Sequence, residues 1–224
     1  MTDTPKPTTA APARQRLSRE RVLAAALAIA DRGGLPRLTI RSLASELGAR
    51  PMSVYHYVSG KEELLDALVD AVFEAIDSPD PDGDWREEIS RSARSARAVL
   101  REHSWAIGLL ESRTSPGPAT LRHHDRVLAC LLRSGFSPEL TAHAYALVDS
   151  YVYGFALQEA SLPFDGPDTV GGVAEPIMER MGAGEYPAMV EMATTHYLRP
   201  GYDWADEFDF GLELILDGLE RRRS

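Results

Sequence analysis

The stretch Thr39–Val58, TIRSLASELGARPMSVYHYV, constrains this chain more than any other. Ile40, Leu43, Ala44 and Leu47 recur at three- and four-residue spacing, the signature of one buried face on a short helix, and Thr39 stands where a hydroxyl caps its first turn. Gly48 follows where the left-handed conformation that ends a helix costs least. A second short run spaces Val54 and Val58 four apart and leaves Ser53, Tyr55, His56 and Tyr57 around its other faces. Helix, tight turn and helix predict a helix-turn-helix whose second helix enters a DNA major groove, or else a plain helical hairpin in a core.

The charge distribution favours DNA. From Met1 to Lys61 there are ten Lys and Arg against four Asp and Glu, which leaves fourteen against thirty in the remainder of a chain whose net charge is −10. A basic amino-terminal part on an acidic chain is expected when only one end meets phosphate. With 224 residues, 44% of them hydrophobic and 26% charged, the chain can bury a core and divides most simply into a small and a larger domain. Cys130 is the one cysteine, so no intrachain disulfide forms; a reducing, cytoplasmic setting and a structural thiol rather than a nucleophile are expected. No apolar run approaches the ~20 residues of a membrane span, and the first residues lack a signal-peptide core.

In chain order, residues 1–16 read as a disordered basic arm, either a solvated tail or a source of phosphate contacts. Ser18 caps a helix that Gly33 and Gly34 stop, the first of a three-helix unit over 17–61. Ser59 and Glu62 have capping-box spacing before a long connecting helix with Leu64, Leu68, Val72 and Ile76 inward, and Lys61 in its first turn is a candidate phosphate clamp. The loop 78–84, SPDPDGD, ends it. Residues 62–224 then read as helices only. Asp84 begins one with Arg91, Arg94, Arg97 and Arg101 on a solvated face, a short apolar piece spans 105–110, and helices follow at 121–133 and, from Ser137-Pro138-Glu139, through Leu157. A mobile loop at 163–172 and helices near 186–198 and 204–222 complete the chain, so the expected fold class is all-α.

The segment Leu38–Leu68, with its Gly48 turn, the pair Tyr55 and Tyr57 and a lysine opening the next helix, resembles the DNA-binding unit of TetR-family transcriptional regulators. The segments 131–147 and 210–220 are similar to the regulatory domain of the tetracycline repressor. This resemblance implies a cytoplasmic homodimer that binds double-stranded operator DNA and is released by a small-molecule effector. The DNA contacts it implies are Thr39, Arg41, Arg50, Pro51, Met52, Ser53, Tyr55, His56, Tyr57 and Lys61. Tyr55 can also serve packing, and Pro51 and Met52 can read only apolar edges such as a thymine methyl.

On the ligand side the sequence departs from the tetracycline repressor. The place of its magnesium-holding histidine falls at Leu110, that of the partner's carboxylate at Gln158, and its neighbouring polar ligands become Asp77, Ser92, Ala96, Arg113 and Val127. A hard cation needs oxygen or imidazole donors that leucine lacks, so no metal or other cofactor is expected, and the effector should be apolar or aromatic. The candidate pocket is Trp105, Leu109, Leu110, Arg113, His124, Val127, Leu128, Tyr145, Asp149 and Met189, with ordinary core packing as the alternative. Trp105 and Leu109 are expected to relay occupancy to the connecting helix. Val148, Tyr151, Val152 and Phe155, with Phe208, Leu212, Ile215 and Leu219, form two apolar helical faces that pair across a dimer or else pack within one subunit.

Catalysis finds little support. His123 and His124 are adjacent and point about 100° apart on a helix, and there is neither a Gly-rich phosphate loop nor a nucleophile elbow. The alternative to a repressor is a small-molecule binding or interaction protein without operator binding.

Overall fold

A computed structural model describes residues 16–110, 112–164, 167–180 and 184–223, at 167 and 168 the backbone alone. The expected arm over 1–16 lies outside the described residues apart from Arg16. Among the described residues there is no strand, and the fold is all-α. Two compact units meet in the chain between Leu64 and Leu65, against an expected break after Lys61. No described helix is long and apolar enough to cross a membrane.

In the first unit, α1 (Arg19–Gly33) begins at Ser18, whose hydroxyl accepts the Arg21 N–H, and buries Val22, Ala26, Ile29 and Ala30. α2 (Ile40–Glu46) opens on a reciprocal cap, Thr39 Oγ1 accepting from the Ser42 N–H and Ser42 Oγ from the Thr39 N–H, each at 3.0 Å. Gly48, at φ +60°, makes the turn where a β-carbon would be strained. α3 (Pro51–Val54) is a single helical turn continued by turns to Tyr57, shorter than the expected recognition helix. Val54 and Val58 anchor it in the core beside Leu43 and Ala44. At the start of α4 (Lys61–Ala75) it is Glu63, not the expected Glu62, that accepts the Ser59 N–H, and these hydrogen bonds hold the Glu63 carboxyl below its ordinary value.

The second unit is built on α7 (Pro138–Ser161), which packs against α5 (Trp85–Glu102), α6 (Pro118–Arg133) and α10 (Ala205–Arg223). Asp84 caps α5 and Ser137 caps α7, as their spacing predicts. The apolar piece at 105–110 is a 3-10 turn over Ser104–Ala106 followed by further turns, and the stretch expected as a mobile loop contains the start of α8 (Pro167–Glu179), with proline at its first position. A short α9 (Pro187–Met192) runs into a π-helical turn at Ala193–Tyr197. Cys130 is fully buried, and burial pushes its thiol up to about 11, which makes it a packing residue.

Of the α5 arginines expected on a solvated face, Arg91, Arg94 and Arg101 are exposed and Arg97 is not. Arg86 pairs with Glu213 and Asp217, and Arg94 with Asp209, all three acids on α10, while Arg91 pairs with Glu88 on its own helix. Arg97 reaches Glu159 on α7, and the two side chains are only 13% and 16% exposed.

Candidate functional site

The first unit turns Arg50, Pro51, Met52, Tyr55 and His56 outward because Val54 and Val58 point in; Met52 is 71% exposed. Arg41 on α2 and Lys61 at the start of α4 are exposed as well. Two expected contacts have other work, and a third is less open. The Thr39 hydroxyl is committed to its cap, the half-buried Tyr57 donates its hydroxyl to the Leu17 carbonyl at 2.9 Å and so braces the lead into α1, and Ser53 is half-buried. The outward set combines a guanidinium, an imidazole and a phenol, which reach base edges and phosphates, with two apolar side chains suited to thymine methyl groups.

Among the described residues of the second unit, two cavities involve the expected pocket. One of about 30 Å³, room for a water, is lined by Ser92, Ala96, His123, Val127, Asp149 and Tyr153 among others, with Ile76 just past the end of α4. The other, of about 140 Å³, is lined by Asp66, Leu110, Arg113, Gly117, Thr120 and His124 among others. The rings of His123 and His124 are 6.0 Å apart, each facing a different cavity, and the Phe73 ring packs on both at 5.4 and 5.2 Å. Neither cavity reaches the ~300–1,000 Å³ of a typical ligand site, so a larger molecule requires them to open.

Of the expected pocket, Leu110, Arg113 and His124 line the larger cavity, and Val127 and Asp149 the smaller. The remaining five are not among the lining residues. Leu128 is exposed because α6 turns His123, Cys130 and Leu131 inward; Met189 is 55% exposed on α9; Tyr145 meets His124 edge-on at 5.7 Å; Trp105 and Leu109 pack against the core. The Trp105 turn rests on α5 and α7, and the polar grips on α4 come from Arg113 and Thr120. Arg113 Nε donates to Asp66 Oδ1 at 2.6 Å, and Asp70 accepts from the Thr120 N–H and hydroxyl at 2.9 and 3.1 Å, supplying from α4 the cap that α6 lacks at Gly117. A β-carbon at Gly117 would overlap the Asp70 carboxylate. Asp66 and Asp70 were missed by sequence reasoning; their signal was two carboxylates four apart between the apolar positions Leu65, Leu68 and Val69.

Burial, and after it the neighbouring His124, hold the His123 imidazole down to about 4. His123 therefore stays neutral in the folded protein while the unfolded chain protonates below about 6.5, and stability is full above that value and lost as pH falls toward 4. About 1.5 kcal/mol should disappear between pH 6.5 and about 5. Urea midpoints across this range should show the loss in the natural chain and a flatter profile in His123→Gln; parallel profiles would contradict it.

The expected dimer face is also corrected in part. Val152, Phe155, Phe208, Leu212 and Leu219 are buried in the protomer's own core, and Tyr151 donates its hydroxyl to the Phe208 carbonyl. Val148 and Ile215 are partly buried against that core. The large apolar side chains left outside on these helices are Leu147 and Leu157 on α7 and Phe210 and Leu214 on α10; Leu147 and Leu214, 47% and 56% exposed, lie beside an open groove of about 470 Å³ with Leu140, His143, Gly218 and Arg222 along it.

A helix-turn-helix unit with an outward basic and aromatic strip, continued by one helix into a unit with internal cavities, defines a DNA-binding transcriptional regulator. Residues 22–68 match the family described as bacterial regulatory proteins, tetR family, and residues 78–223 the tetracyclin repressor-like C-terminal domain. The chain belongs to the TetR family of transcriptional regulators and is not an enzyme. It is 37% identical to the HTH-type transcriptional repressor DrrR1 of Streptomyces coeruleorubidus, over 96% of this chain and 79% of that protein. It is 30% identical to the class A tetracycline repressor from transposon 1721 of Escherichia coli, over 93% of each. Among solved structures, Streptomyces coelicolor ActR in complex with actinorhodin superimposes with a TM-score of 0.74 at 29% identity, covering 91% of this chain and 95% of ActR.

Proposed function

We propose that the protein is a repressor that binds a palindromic operator as a homodimer and releases it when a small apolar or aromatic effector enters the second unit. The observation that carries this reading is the position of α4, which starts at the exposed Lys61 and supplies Asp66 and Val69 to the larger cavity. A ligand shifts an equilibrium only through its differential affinity for two states, and one that moves α4 has such a difference built in. The actinorhodin complex of ActR supports a small-molecule effector, and Leu110 at the larger cavity supports release that does not need a metal. The groove beside Leu147 and Leu214 is the proposed partner face.

A two-fold dimer should bind half-sites about one helical turn, ~34–36 Å, or a multiple of it apart. Fluorescence anisotropy on operator and random duplexes across a salt series tests the reading heads. Lys61→Ala should weaken both duplexes alike and reduce the salt slope by about one. Tyr55→Ala should weaken the operator alone, by about 1–3 kcal/mol. Equal losses on both duplexes for both variants would remove these roles, and release that EDTA prevents would restore a metal.

A further inference from the structure

We infer that the larger cavity receives an acidic group of the effector, a carboxylate or similar anion on a small aromatic body, and that this anion replaces the Asp66 carboxylate on the Arg113 guanidinium. The inference rests on the reading of the chain as an effector-responsive regulator and gives that site its ligand chemistry. Arg113 and Asp66 both line the cavity, their contact is 2.6 Å, and their side chains are 14% and 24% exposed. Leu110 and His124 complete a wall suited to an aromatic ring.

The chemistry selects an anion. A neutral ligand that parts Arg113 from Asp66 breaks a contact between opposite charges in a poorly solvated place and returns no charge to the guanidinium, an unfavourable exchange. An incoming carboxylate keeps the guanidinium paired, in the planar geometry that guanidinium groups favour. Only Asp66 then loses its partner, and it stands on α4, which can turn it to water by moving. That movement also strains the next grip along the helix, Asp70 on Thr120, so one exchange loosens both ties between α4 and the 113–120 segment. Linkage makes the effect reciprocal: whatever frees Arg113 from Asp66 must strengthen acid binding.

The test uses calorimetry on the full chain with benzoate and its neutral isostere benzamide, fragments small enough for the cavity, at concentrations up to about 10 mM. Benzoate should bind at least about tenfold more tightly than benzamide. Asp66→Asn should bind benzoate about tenfold more tightly still, since the competing carboxylate is gone, and Arg113→Gln should abolish the preference for the acid. The gain in Asp66→Asn cannot arise from misfolding, so it decides the matter even if Arg113→Gln folds poorly. Equal affinity for the two fragments, no binding of either, or an unimproved Asp66→Asn overturns the inference. No DNA is present in these titrations, so a failure of the repressor reading appears separately, as absent operator binding by the natural chain.

Discussion

Glu159→Ala should destabilise the second unit by about 3–5 kcal/mol, read as a fall in the thermal midpoint of about 10 °C for a unit of this size. Glu159 receives two hydrogen bonds from Arg97, at 3.0 and 2.6 Å, and the guanidinium lies 4.8 Å from the centre of the Phe155 ring and 4.9 Å from that of Phe208 while also donating to the Ala205 carbonyl. α5, α7 and α10 are thus joined at one cation. Without Glu159 that cation remains among aromatic rings with a single carbonyl to hold it, so the loss exceeds the net worth of the pair. The double variant Arg97→Met, Glu159→Leu should recover much of the loss, because it removes both charges and keeps volume, and the coupling in a double-mutant cycle should be large. A midpoint for Glu159→Ala within experimental error of the natural chain would return Arg97 to the solvated face its helix suggests.

That contrast marks where the sequence was legible. Caps and periodicity work over a few residues, so Ser18, Thr39, Gly48, Asp84 and Ser137 sit at the helix ends their chemistry requires. Whether an arginine stripe faces water depends on what lies across from it. The acids opposite Arg86 and Arg94 are more than a hundred residues away, at Asp209, Glu213 and Asp217, and no local pattern announces them. The cavities divide in the same manner. Arg113 and His124 were readable as polar groups among apolar ones, whereas Asp66 meets a partner 47 residues away that no local pattern announces. For α10 the segment FGLELILDGL is apolar on more than one side, and spacing alone cannot tell Phe208 and Leu212, which face the core, from Leu214, which does not.

Leu214→Asp separates those two faces. If the groove beside Leu147 and Leu214 meets its symmetry mate, a carboxylate there must be buried without a partner, and the proposed dimer should dissociate into folded monomers with an unchanged thermal midpoint at low concentration. Phe208→Asp should behave differently and unfold the protomer, because that side chain is fully buried within it. A monomer reaches one half-site at a time, so the Leu214→Asp variant should lose about 10²–10⁴-fold in operator affinity while its affinity for an isolated half-site is unchanged. Sedimentation and anisotropy on the same samples give both numbers. An intact dimer of Leu214→Asp, or a monomer that still holds the full operator as tightly as the natural chain, would place the partner on another face or remove the need for one.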